Sequence, residues 1–80
     1  MNSETFKTMT RREHWIFAQI VLKRMHSARI SRKQMAEILG RSYPTVCGFL
    51  SPSGTASKYL AEELANYFDI KEEDWRGKNG

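Results

Sequence analysis

Only one cysteine, Cys47, occurs in this chain of 80 residues. That excludes an internal disulfide and any zinc site built from several cysteines. Long apolar runs are equally scarce. The longest, Trp15 to Leu22, is interrupted by Gln19 and falls far short of the roughly 20 residues that cross a bilayer. The opening residues, MNSETFKTMT, lack the basic-then-apolar layout of a signal peptide. The chain also has no internal repeat, no strand-length alternation and no low-complexity tract. These absences point to a cytoplasmic protein with no membrane association. At this length one small domain fits, without a separate catalytic or ligand-sensing domain. Apolar residues, 40% of the chain, are enough for one core and argue against full disorder.

Charge is distributed unevenly. Residues 1–50 carry nine Lys/Arg against Glu4, Glu13 and Glu37, a balance of +6, whereas residues 51–80 carry four against six acids, a balance of −2. A basic front and an acidic tail suit a protein that meets a polyanion with one face and keeps the other away.

The helix signals are local and repeated. Thr10 with Glu13 forms a capping box ahead of a stripe of Trp15, Ala18, Val21, Leu22 and Met25, widened by Ile16, Phe17 and Ile20. Gln19, Lys23 and Arg24 face outward. Ser31 with Gln34 caps a second helix, and Ile30 and Met35 stand at the two positions of a hydrophobic staple. Met35, Ala36, Ile38 and Leu39 are its expected buried side, and Gly40 stops it in the left-handed conformation. Residues 40–50, GRSYPTVCGFL, look at first like a broken helix. Ser42 as N-cap and Pro44 in the first turn instead start a third helix, from about Tyr43 to Leu50, because a first-turn residue has no helical use for its N–H. Val46, Phe49 and Leu50 point inward, and SPSG ends the helix. A fourth helix opens at Thr55 or Ser57 and runs to about Phe68, burying Tyr59 or Leu60, Leu64, Ala65 and Phe68. Asp69 with Glu72 is read as a further capping pair for a short last helix through Trp75. The expected fold is all-α, with five short helices in residues 9–76, a polar arm over 1–8 and a frayed end over 77–80.

The join between the second and third helices carries the functional reading. Ala36 leaves room for a close helix crossing, Gly40 permits the reversal, and Val46 and Phe49 pin the third helix to the core with its opposite face free. This is helix-turn-helix spacing. The stretch SRKQMAEILGRSYPTVCGFL resembles the Cro/C1-type, lambda-repressor-like DNA-binding family, and FLSPSGTASKYLAEELANYFDI is similar to that family's continuation. The resemblance implies a repressor that binds double-stranded DNA with the helix 42–50 in the major groove. In a bacterial or phage setting such a protein lies on the nucleoid when bound.

Family roles fall on particular positions. Arg32 occupies the phosphate-clamping site, where a Gln is usual. Ser42 and Tyr43 open the recognition helix, with Tyr43 either a contact or part of the core. Thr45 faces base edges, and Cys47 and Gly48 lie further along that side. Ser51, Ser53 and Lys58 suit backbone contacts, and Lys33 and Arg41 flank the surface. Arg41 stands where the turn is usually aliphatic, and the recognition helix has none of the Gln, Asn or Arg side chains that read purines bidentately. Binding is therefore expected to be electrostatic and shape-driven. A module of this size implies a homodimer on a pseudo-palindromic site, with Trp75 as candidate dimer contact.

Two rival classes fare worse. A Cys47 nucleophile would need His14 or His26 as base. Those histidines are twelve residues apart on one helix, about 120° around it, and no acid is placed to orient either. His14 is expected at the surface of the first turn and His26 as a polar helix-end residue, so no catalytic, metal, cofactor or small-molecule site is assigned. The other rival is a protein-interaction module, an antirepressor or antitoxin-like adaptor on the same fold, with Trp75, Phe68 and Tyr67 as its surface.

Overall fold

In the computed structural model, residues 9–51 and 58–76 are described. They form four α-helices and a closing 3-10 turn: α1 Arg11–Ala28, α2 Arg32–Leu39, α3 Tyr43–Leu50, α4 Lys58–Phe68 and the turn Glu72–Asp74. No strand occurs among the described residues, so the fold is all-α. The fifth expected helix is a single 3-10 turn, and the expected start of α4 at Thr55 or Ser57 lies outside the described residues.

Each helix start follows from its cap. Thr10 Oγ1 accepts from the Glu13 N–H at 3.0 Å, and the Glu13 carboxylate accepts from the Thr10 N–H at 3.0 Å. Ser31 and Gln34 repeat the arrangement at α2, at 3.1 and 2.8 Å. Ser42 caps α3 by accepting from the Thr45 N–H at 3.3 Å, with Pro44 in the first turn.

Three helices end alike. Arg29, Gly40 and Asp69 adopt left-handed φ values of 57°, 67° and 53°. In each case the next N–H reaches back to a carbonyl in the last turn: Ile30 to Met25, Arg41 to Ala36 and Ile70 to Ala65, all at 2.9 Å. These bonds satisfy carbonyls that have no helical partner, and at Arg29 and Gly40 the left-handed residue's own N–H adds a second, to His26 and Glu37. Asp69 therefore ends α4 rather than opening the last turn. The cap pair Asp69–Glu72 is corrected to Lys71 and Asp74, the Lys71 N–H donating to the Asp74 carboxylate at 3.0 Å.

The core is drawn from all four helices and from the residues that flank the closing turn. Phe17, Val21 and Met25 of α1 meet Met35 and Ala36 of α2, Val46, Phe49 and Leu50 of α3, and Leu60, Leu64 and Ala65 of α4, with Ile70 and Trp75 closing the end. Between Tyr59 and Leu60, the latter is buried and Tyr59 is exposed.

Three sequence expectations are corrected by this packing. Trp75 is a core residue, 0% exposed, with its ring edge-on to Phe17 at 6.2 Å. Arg76 lies over it at 4.6 Å and is paired with Glu72 at 2.7 Å and Glu13 at 3.6 Å. A residue so covered is not at hand for a dimer contact. His14, expected at the surface, is 4% exposed and packs edge-on against Phe49 at 4.7 Å. Ile38, expected on the buried side of α2, is exposed because α2 turns Met35 and Ala36 inward. No helix among the described residues is long and apolar enough to cross a membrane.

Candidate nucleic-acid interface

Helices α2 and α3 pack directly against each other. Ala36 is 4% exposed, so the second helix crosses where there is no long side chain. Gly40 takes the left-handed φ of 67°, a conformation that costs a residue with a Cβ about 1 kcal/mol or more. Val46, Phe49 and Leu50 bury one side of α3 and leave Tyr43, Pro44, Thr45 and Gly48 exposed on the other.

Arg41 closes the turn in an unexpected way. In this kind of helix ending the residue at its position normally makes an apolar contact. Here its guanidinium instead donates twice to one carboxylate oxygen of Glu63 on α4, from Nε at 3.0 Å and Nη2 at 2.8 Å. The ion pair takes the place of the apolar clasp, and the Arg41 N–H still reaches Ala36 at 2.9 Å. Arg41 therefore reaches the candidate surface already partnered. Glu63 was not among the expected site residues. It lies 22 residues along the chain from Arg41, beyond any local pattern.

At the start of α3 the polar groups form a small network. The Ser42 and Thr45 hydroxyls are 2.6 Å apart, which leaves each with capacity for a further hydrogen bond. The Tyr43 phenol is raised above its ordinary pKa, first by a hydrogen bond with Cys47 and then by the charge the thiol can carry, with the Arg32 guanidinium opposing. Tyr43 lines a cavity together with Arg32 and Lys33 of the first turn of α2. It is 52% exposed, which resolves the alternative of core or surface in favour of surface. Cys47 is half-buried beside it.

Gly48 has open space where a Cβ would stand, with nothing within 4 Å. No described residue requires glycine there, although a mid-helix glycine costs about 1 kcal/mol against alanine. Its absent side chain lets something outside approach the α3 backbone.

Among the remaining expected residues, Arg32 and Lys33 are exposed and have no ion pair among the described residues. The Ser51 hydroxyl is turned back onto α3, donating to the Gly48 carbonyl at 3.1 Å. Ser53 and the Lys58 side chain lie outside the described residues. The structure thus brings Arg32, Tyr43 and Cys47 together, with Ser42 and Thr45 paired on the same helix.

His14 supports this surface from beneath, a role the sequence reading missed. Burial pushes its pKa below the ordinary histidine range, offset in part by a hydrogen bond with the Phe49 backbone. Its Nε2 has no hydrogen-bond partner. The neutral ring therefore packs against Phe49, one of the anchors of α3. No group of three or more His, Cys, Asp or Glu residues able to hold a metal ion occurs among the described residues. Against known proteins, no family model, no curated protein and no solved structure matches the chain.

Proposed function

We propose that the chain is a sequence-specific DNA-binding transcriptional regulator, a repressor of the Cro/C1 type, in which α2 and α3 form a helix-turn-helix and α3 enters the major groove. The observation that carries this reading is the outer face of α3. After Tyr43 at its start, the exposed residues Pro44, Thr45 and Gly48 are small or short, Gly48 meets no described atom where a Cβ would stand, and Arg32 and Lys33, without an ion pair among the described residues, lie on the Tyr43 side of the helix. A helix built to approach a groove closely needs that relief, and phosphates on either side need those charges. Arg32 clamps a phosphate, Thr45 meets a base edge, and Tyr43 with Ser42 orients the helix start. The protein acts as a homodimer on half-sites about one helical turn apart, since one such module buries too little surface for tight specific binding.

Gel shifts with random duplex and with duplex selected from a random pool test this. Arg32→Ala should weaken binding to all sequences alike by about 1–2 kcal/mol, as loss of a charge-assisted phosphate contact does. Thr45→Ala should alter preference at one base position. Arg32→Ala changing a single base preference would show that the docking is wrong.

A protein-interaction role has one observation in its favour. Tyr59 and Tyr67 on α4 are 62% and 46% exposed, and Tyr67 stacks edge-on with Phe68 at 4.8 Å. Failure to bind either duplex at low salt would favour that second reading.

A further inference from the structure

We propose that the cavity between the end of α1 and the first turns of α2 and α3 is a binding site for a small organic anion, an acidic head on a compact apolar body. The cavity measures about 430 Å³, within the range of small-molecule sites. Its apolar part is supplied by Leu22 and Met25 of α1 and by Ile30 of the connection. Leu22 and Ile30 are only half-buried by the protein itself, so a ligand would take further apolar surface out of water.

The rest of the lining is chosen for negative charge. Arg32 and Lys33 occupy the first two positions of α2, and His26, Ser31 and Tyr43 complete the lining. Among the described residues no carboxylate lines the cavity and neither Arg32 nor Lys33 has an ion pair. The first N–H groups of a helix have no acceptor within it. The Ser31 hydroxyl is occupied by the Gln34 N–H, which leaves the backbone donors of Arg32 and Lys33 for an anion.

A DNA phosphate would satisfy the cationic edge but has no apolar body to cover Leu22, Met25 and Ile30. An amphiphilic anion satisfies both parts. Because Arg32 and Tyr43 also belong to the proposed DNA surface, occupancy should displace duplex. That coupling rests on the DNA reading, whereas the site does not.

The test is a titration of the full chain with octanoate, followed by methyl resonances, with 1-octanol and inorganic phosphate as separate body and head probes. Octanoate should saturate with a Kd of about 0.1–1 mM, in keeping with the affinity ten heavy atoms can supply, and should move Leu22, Met25 and Ile30. Octanol and phosphate should each bind at least about tenfold more weakly, and Arg32→Gln with Lys33→Gln should cost octanoate about tenfold or more at unchanged melting temperature. No saturation by about 5 mM, shifts centred elsewhere, or unchanged binding by the double variant would overturn the site. In a gel shift, saturating octanoate should release duplex. Duplex retained with octanoate bound would overturn the coupling, and absence of any duplex binding would overturn the DNA reading while the titration still decides the site.

Discussion

Glu63→Gln should tighten DNA binding while loosening the fold. In the folded protein Arg41 spends its Nε and Nη2 donors on the Glu63 carboxylate at 3.0 and 2.8 Å, with both side chains about two-fifths exposed. An exposed pair of this kind contributes about 0.5 kcal/mol to stability, so the variant should unfold at slightly lower urea. Its guanidinium, freed at the turn of α2 and α3, becomes available to a phosphate. One added contact of about 1 kcal/mol lowers Kd about fivefold. The salt slope of log K should steepen by about 0.9, because one more counterion site is released. Raising salt from about 50 to 200 mM should then erase roughly 3.5-fold of that gain. Fluorescence anisotropy of a labelled duplex over a salt series reads both quantities. Loss of a negative charge alone would also tighten binding, so the double variant with Arg41→Gln is needed to isolate the pair. The double variant should return to the slope of the unmodified protein. If Glu63→Gln leaves the slope unchanged, or the double variant binds as tightly as Glu63→Gln alone, the reasoning fails.

Gly48→Ala should stabilise the fold by about 1 kcal/mol, roughly 4–8 °C in Tm, because a helical alanine meets nothing there. It should weaken DNA binding at the same time, and stabilisation with unchanged affinity would remove the close-approach argument. Arg29→Gly should raise Tm by roughly 3–6 °C, since Arg29 holds a left-handed φ of 57° that glycine adopts without strain; a lower Tm in thermal melts would refute this. Stability should also depend on pH through His14. Its folded pKa is depressed, so below about 6.5 the unfolded chain binds the proton first and stability falls with falling pH, by at most about 1.4 kcal/mol per unit. It is fully regained above that value. Urea titrations from pH 8 to 5 should show this slope and show it lost in His14→Phe.

Several parts of the molecule were legible in the chain because their causes are local. Thr10 with Glu13, Ser31 with Gln34, and Ser42 with Thr45 make their contacts within three residues, and α1, α2 and α3 start where those residues place them. The inward set Val46, Phe49 and Leu50 follows from helical spacing alone. Where two neighbouring residues competed, periodicity ran out: Leu60 rather than Tyr59 is buried, and Asp69 ends a helix instead of capping the next one.

What the tertiary structure alone decided are relations between distant residues. Nothing near His14 marks it as buried until α3 brings Phe49 against its ring. Trp75 looks like a surface aromatic in a charged tail until Phe17 and Arg76 enclose it. Arg41 looks like a free phosphate-seeking charge until α4 supplies Glu63. The cavity beside Arg32 is lined from three helices at once, so its residues, all within 22–43, meet only when those helices pack. Caps, turns and stripes depend on neighbours a few residues away, whereas burial and pairing depend on which helices the whole core draws together. For this protein the chain by itself determined where α1, α2 and α3 begin and the apolar anchors of α3, and the packing decided which competing neighbours are buried and which charges are paired.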